Sequence, residues 1–190
     1  MSKFHDEFFN KGSPEHDKLM IKCLSQKGII KIVDAMDLEN GVPRYRRCVD
    51  MKTGRPSTTL GLVKTTILDH ETEHIIRNGT FVMGYVDAVI NVLATFDEMD
   101  GDRRMVDQIH SIFSIFVEAK PKITSIGDTI RQLKTYKQTA SMDGMHCMID
   151  GRPNSIDDVK MCVATYDHPS DDEIEFFSNE KIRIVSFDQS

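Results

Sequence analysis

The sequence predicts an α+β fold in which a small antiparallel sheet packs on a central helical hairpin. Three observations support it: short β-branched runs in the N-terminal third, apolar residues at helical spacing in the middle, and two short apolar runs near the C-terminus. The last two runs should form a hairpin that could join the sheet. The 190 residues are expected to make a single domain with segments 1–68, 69–138 and 139–190.

Segment 1–68 should hold one helix followed by a meander of strands. The Ser-Pro-Glu run at 13–15 has the order of N-cap, first-turn proline and first-turn acid, and the helix should continue to about residue 26 before Gly28 ends it. The Asn-Gly dipeptide at 40–41 favours a tight turn between two strands. Strands are expected at 29–33, 45–51 and 60–68.

Segment 69–138 changes to helical spacing. Apolar residues recur every three or four positions along 82–96 and again along 105–116, which predicts two packed antiparallel helices. The acidic connection between them is not a calcium loop, because placing Gly101 at loop position six puts Phe96 at position one, where an oxygen ligand is required. A third, more polar helix is expected at 125–137.

Segment 139–190 should be less regular. Residues 141–154 are rich in Met and Gly and are expected to form a loop. A short helix should run from Ser155, its N-cap, through Cys162. The chain should end in the hairpin of strands 174–177 and 182–187.

Composition predicts a soluble cytoplasmic protein. Hydrophobic residues make up 39% of the chain, no apolar run is long enough to span a bilayer, and Asp6 stands where a signal peptide would begin its apolar region. Cys23, Cys48, Cys147 and Cys162 are far apart, which favours reduced thiols over a disulfide framework or a structural metal site. The many Met residues and the absence of Trp are typical of a small viral or phage accessory protein, for which the compartment would be the host cytoplasm.

Residues 70–74, His-Glu-Thr-Glu-His, offer one candidate for chemistry. On a helix, His70 and His74 would share a face and could bind Zn²⁺, with Glu71 placed to deprotonate a water on the metal. The pentad resembles the zinc-binding helix of the zincin metallopeptidases. This resemblance implies a zinc-dependent hydrolase with a third ligand, for which the candidates are Glu98, His110 and His146.

The same residues also have a structural interpretation that needs no cofactor. Asp69 is a good N-cap, and Glu71 and Glu73 would then lie in the first turn of a helix, where carboxylates favour the positive end of the helix dipole. This interpretation is preferred, and zinc is the alternative.

Positive charge is concentrated in residues 43–64. This basic segment has six basic residues against one acid, a net charge of +5, so the rest of the chain must carry −11 to reach the total of −6. The candidates for binding a protein partner, a nucleic acid or an anionic surface are Arg44, Tyr45, Arg46, Arg47 and Arg55. The alternative is internal pairing with the acidic region 167–180.

Three functions follow from these features. The preferred one is a non-enzymatic interaction or assembly module, in which the basic segment and the acidic region are complementary surfaces, including between copies of the same protein. The alternatives are a zinc-dependent metallohydrolase that uses residues 70–74 and a nucleic-acid-associated protein that uses the basic segment.

Overall fold

Four α-helices and seven strands make up the regular structure of the described residues. The computed structural model describes residues 13–43, 46–78, 80–143, 146–149 and 152–189. In chain order the elements are α1 (Pro14–Leu24), α2 (Gln26–Ala35), β1 (Thr59–Asn78), β2 (Phe81–Met99), β3 (Met105–Ala119), α3 (Ile126–Asp143), β4 (His146–Ile149), β5 (Arg152–Ser155), β6 (Asp158–Thr165), α4 (Asp171–Asn179) and β7 (Ile182–Ser186).

Five of these strands form one mixed sheet in the order β1-β2-β3-β6-β7. The pairs β1–β2 and β2–β3 are antiparallel, whereas β3–β6 and β6–β7 are parallel. Helix α3 lies in the connection from β3 to β6, and α4 lies in the connection from β6 to β7, as parallel neighbours require. Strand β2 therefore runs against the other four.

Helices cover both faces of the sheet. Residues alternate along β6: Cys162 and Ala164 belong to the core formed with α1 and α2, while Met161 and Val163 pack with Phe177 of α4 and with α3. The molecule therefore has three layers, α/β/α. The mixed α/β content agrees with the sequence prediction, but the sheet is larger and is not purely antiparallel.

The predicted central helical hairpin is wrong, because both of its helices are strands of the sheet. The residues chosen for one helical face include Val86 and Val89, yet the intervening Ala88 and Ile90 are also buried. In a strand that is buried on both faces, nearly every residue is apolar. Apolar residues at helical spacing therefore occur in it by chance. Strands β2 and β3 have this character.

The N-terminal segment differs from the prediction after its first helix. Ser13 caps α1 as expected, but the predicted strand at 29–33 is helix α2. Gly28 lies inside α2, where a Cβ would come within 1.9 Å of the Lys22 carbonyl oxygen, so it permits close contact between the two helices and does not end one. The Asn-Gly dipeptide lies in a short 3₁₀ helix, Glu39–Gly41.

The other predicted elements have mixed outcomes. The strand at 60–68 is confirmed as part of β1, and the polar helix at 125–137 is confirmed as α3. The strand at 45–51 is wrong for its described residues, where Val49 makes only an isolated bridge to Pro56. Residues 155–162, predicted as a helix, lie largely in β6, and 141–154 contribute the β4–β5 hairpin.

The predicted C-terminal hairpin is also replaced. Residues 174–177 belong to α4, whose N-terminus has a reciprocal capping box between Ser170 and Glu173. Strand β7 confirms the second run, but it pairs in parallel with β6. In the part of the chain that the structure describes, no helix is long and apolar enough to cross a membrane.

Candidate active site

The His-Glu-Thr-Glu-His pentad lies on strand β1, so the predicted helical geometry is wrong. His70 and His74 lie opposite Ile90 and Val86 of β2, so they do not occupy adjacent turns on one face of a helix. The His74 Nδ1 atom is hydrogen-bonded to the Glu71 carboxylate, which lowers the pKa of Glu71. His74 and Glu71 therefore contact each other along the strand.

The proposed third ligands are also separated from the pentad. Glu98 is buried near the end of β2, where its Oε1 accepts hydrogen bonds from the Cys48 amide at 2.8 Å and from the Thr58 hydroxyl. His110 contacts Thr95 on the neighbouring strand, with 3.0 Å between Nδ1 and Oγ1. The side chain of His146 lies outside the described residues.

Two arginines of the basic segment make internal contacts. The Arg46 guanidinium is 3.2 Å from the buried Asp157 carboxylate, and the Arg47 guanidinium donates to the Thr58 carbonyl at 2.8 Å. Arg46 therefore pairs with Asp157, which lies before the acidic region 167–180 that was the expected partner of the basic segment. Arg55 is exposed, and Arg44 and Tyr45 lie outside the described residues.

A different set of charged residues converges where β2 and β3 stop pairing. Their last paired residues are Ala88 and Val117, so Asp87 and Glu118 are the next residues on the two neighbouring strands. Lys120 follows β3, and His16 approaches from the first turn of α1. We call Asp87, Glu118, Lys120 and His16 the carboxylate site.

Asp87 links helix α1 to the end of β3. Its Oδ2 accepts a hydrogen bond from the Ala119 amide at 2.7 Å and lies 3.4 Å from His16 Nε2. The hydrogen bond to Asp87 raises the pKa of His16, although burial opposes this change. Glu73 lies opposite Asp87 in the β1–β2 register. Its φ is 52°, a backbone conformation that is uncommon for residues other than glycine.

Glu118 is a buried carboxylate with half of its hydrogen-bonding capacity unused. The residue is only 2% exposed, and its Oε1 lies 2.7 Å from Lys120 Nζ and 2.8 Å from Gln132 Nε2. Its Oε2 is buried and has no hydrogen-bond partner in the described residues. Burial and the nearby charge of Asp87 raise the pKa of Glu118 to about 7.

Lys120 keeps its positive charge beside the two carboxylates. Its backbone amide donates to the Ala164 carbonyl at 2.8 Å, which fixes the end of β3 against β6. Burial acts to lower the pKa of Lys120, but the attraction and hydrogen bond of Glu118 outweigh it, so the pKa is raised. The ammonium group is partly open to solvent and can therefore meet a substrate.

Helix α3 supports the carboxylate site from the opposite layer. Gln132 donates through Nε2 to Glu118 and also to the Tyr136 hydroxyl, at 3.0 Å. Tyr136 packs against Gly84 of β2, where a Cβ would come within 2.6 Å of the tyrosine ring. Glycine at position 84 is therefore what allows α3 to approach the strand this closely.

The two acids of the carboxylate site are the groups that could hold a cation there. In the described residues, no three His, Cys, Asp or Glu side chains are grouped to hold a metal ion. Mg²⁺ does not need three, because it commonly takes one or two carboxylates and completes its shell with water and substrate phosphate. Asp87 and Glu118, at neighbouring positions where the β2–β3 pairing ends, supply two carboxylates.

Sequence reasoning missed the carboxylate site because its residues lie on different elements. The available signal was a charge inside an apolar run: Asp87 interrupts one such run, and Glu118 with Lys120 ends another. Comparison of the chain with protein-family models, curated proteins and solved structures finds no match. Any functional assignment therefore rests on the geometry of the site.

Proposed function

We propose that the protein is a divalent-cation-dependent phosphodiesterase that acts on nucleic acid. The main support is the buried Glu118 carboxylate, whose Oε2 has no hydrogen-bond partner within the described residues and whose pKa is raised by burial and by the nearby charge of Asp87. Burial and the charge of Asp87 disfavour the ionised form of Glu118, Lys120 offsets part of this cost, and a bound cation would offset more of it.

Each residue of the carboxylate site has a role in this reaction. Asp87 and Glu118 would hold the cation, which would supply Lewis-acid stabilisation of a phosphoryl oxygen and activate water. Lys120 adds a positive charge next to them, where it can stabilise negative charge that develops on the phosphate. His16 contacts Asp87 and helps to fix its orientation.

Nucleic acid is favoured as the substrate by exposed apolar residues on β2, the strand that leads into Asp87. Phe81 and Tyr85 lie on β2 a few residues before Asp87 and are 75% and 48% exposed. Exposed aromatic rings stack with unpaired bases, and this contact is tolerant of sequence. Gly84 faces α3, so the alternating residues Phe81, Met83 and Tyr85 lie together on the other face of the strand.

The test is cleavage of an end-labelled single-stranded oligonucleotide in the presence of Mg²⁺ or Mn²⁺. Glu118→Gln and Lys120→Ala should each slow cleavage by at least about 100-fold, since each removes a charge that acts on the reacting phosphate. Lys122→Ala is the matched control, because Lys122 is an exposed lysine just beyond the site. It should cleave at the wild-type rate.

Three results would contradict this function. Cleavage that persists in excess chelator would remove the cation from the reaction. Wild-type rates for Glu118→Gln or Lys120→Ala would remove the carboxylate site. Binding of the cation without cleavage of DNA or RNA would leave a metal site whose reaction is not phosphodiester hydrolysis.

Self-association is a second candidate function, and the edge strand β1 favours it. Leu62, Val63 and Ile67 are exposed along this strand, which has an unpaired edge in the described sheet. An exposed apolar edge can pair with another chain. Light scattering of wild type and Val63→Lys tests this, because a dimer formed through β1 should dissociate in the variant.

Partner binding through the basic segment stays a prediction. Arg46 and Arg55 are both exposed, but Arg46 and the half-buried Arg47 hold internal contacts. The segment contacts Glu98, eleven residues along β2 from Asp87 and thus about 36 Å from the carboxylate site. Arg55→Glu should weaken polyanion binding without altering cleavage of a short oligonucleotide.

A further inference from the structure

A cavity lies at the opposite end of β6 from the carboxylate site. The cavity has a volume of about 500 Å³ and is bordered by α2, α3, β6 and the α4–β7 connection. Cavities of this size accept small organic ligands. Asp158 at its edge pairs with Phe113, whereas Glu118 pairs with Val163, so five residues of strand, about 17 Å, separate the two sites.

Positive charge exceeds negative charge in this cavity. Four basic residues line it, Lys137, Lys160, Lys181 and Arg183, against the two acids Asp37 and Asp158. We call these four residues the basic pocket. The lining residues therefore carry a net charge of +2, although the chain as a whole carries −6.

Ion pairs and a hydrogen bond join several of the residues that line the cavity. Asp158 is shared, with Oδ1 3.2 Å from Lys137 Nζ and Oδ2 3.3 Å from Lys160 Nζ. Arg183 lies 3.9 Å from Asp37, at the outer limit of an ion pair, and donates to the Ser178 hydroxyl at 2.9 Å. Lys181, at the same cavity, is exposed and makes no ion pair within the described residues, so a ligand anion would find a charged donor already in place.

Lys160 is the residue hardest to explain by structure alone. Its side chain is only 14% exposed, and its ammonium lies 5.6 Å from the centre of the Phe113 ring. Burial lowers the pKa of Lys160, with the attraction of Asp158 acting against it. Lysine is seldom buried unless paired, and here its partner is shared, so a bound anion would offset part of that cost.

The remaining lining indicates what the anion carries. Met36 and Met161, which are 7% and 3% exposed, line the apolar part of the same cavity, and Asn40 and Ser178 contribute polar groups. A free phosphate ion would use only the basic residues. Methionine adapts its shape to flat or irregular apolar groups, so a phosphate with an attached organic group would use both parts of the lining.

We infer that the basic pocket binds a phosphomonoester, with the phosphate on the lysines and Arg183 and the organic group against the two methionines. The phosphate dianion matches the excess of two positive charges, and its oxygens can accept from several ammonium and guanidinium groups at once. The pocket is independent of the proposed phosphodiesterase reaction, since none of its residues belongs to the carboxylate site.

The test is calorimetric titration with adenosine 5′-monophosphate, inorganic phosphate and adenosine, in a chelator so that no cation bridges the phosphate to the carboxylate site. Adenosine monophosphate should bind more tightly than inorganic phosphate, and adenosine should not bind. Lys181→Ala should weaken adenosine monophosphate binding by at least about tenfold, because a charged donor is lost. Lys181 is exposed and makes no ion pair within the described residues, so this variant should fold.

Lys134→Ala is the matched control. Lys134 lies one turn before Lys137 on α3 but pairs with Glu180 outside the cavity, so its loss should leave affinity unchanged. Equal weakening in Lys134→Ala and Lys181→Ala would show general charge attraction and overturn the site. Equal affinities for the nucleotide and inorganic phosphate would overturn the role of the methionines, and no binding by either would overturn the proposal as a whole.

Discussion

Replacing Glu118 with Gln should stabilise the cation-free protein while removing its activity. Glu118 is 2% exposed, and its Oε2 has no hydrogen-bond partner in the described residues. Burial and the charge of Asp87 raise its pKa to about 7. Glutamine has nearly the same shape and never ionises, so the variant avoids the cost of keeping a negative charge there.

The magnitude follows from the pKa of Glu118. In the unfolded chain that carboxyl titrates near 4.5, and in the folded protein it titrates near 7. The folded state therefore binds more protons in this range, so wild-type stability is highest below pH 4.5 and is lost as the pH rises through 7. At about 1.36 kcal/mol per pH unit, the loss reaches about 3 kcal/mol at pH 8.

Urea unfolding in chelator at pH 5 and pH 8 measures this difference. Glu118→Gln should exceed wild type by up to about 3 kcal/mol at pH 8, or about 6 to 12 °C in melting temperature for a chain of this size, and by much less at pH 5. Glu175→Gln, at an exposed carboxylate, should match wild type at both values. A variant less stable than wild type at pH 8, or a gain independent of pH, would refute the reasoning.

Two further substitutions probe the surroundings of the carboxylate site. Gly84→Ala should lower the free energy of unfolding by about 1 to 3 kcal/mol and slow oligonucleotide cleavage, because the added methyl group would displace Tyr136. Unchanged unfolding and cleavage would show that the methyl group fits between β2 and α3 without displacing Tyr136. Phe81→Ala and Tyr85→Ala should raise KM for single-stranded DNA while leaving kcat intact, since a base-stacking contact worth about 1 to 3 kcal/mol is lost. Phe176→Ala, at an exposed ring on α4, is the kinetic control, and a fall in kcat in the β2 variants would contradict a role limited to binding.

Features decided by local chemistry could be predicted from the sequence. The start of α1 follows from Ser13, whose hydroxyl accepts from the His16 amide at 3.2 Å, and from the proline after it. The first half of β1 follows from its β-branched run. In these places a few neighbouring residues determine the structure, so it can be predicted without knowledge of distant contacts.

The layer order could not be predicted, because it depends on burial from both sides. Phe113 packs toward α1 and α2, and Phe116 packs toward α3, so β3 has no polar face that would show the two-residue period of a strand. The candidate site was missed for a related reason. Asp87 and Glu118 meet only through the β2–β3 register, and neither has a neighbour in sequence that marks it as a ligand.

The most direct measurement of the central claim is calorimetric titration of Mn²⁺ into wild type, Asp87→Asn and His74→Ala at pH 8. If Asp87 and Glu118 hold the cation, wild type and His74→Ala should bind Mn²⁺ equally, and Asp87→Asn should bind at least about tenfold more weakly, because one of two carboxylate ligands is lost. Equal binding by Asp87→Asn and wild type, or binding that disappears in His74→Ala, would contradict a cation site at the carboxylates.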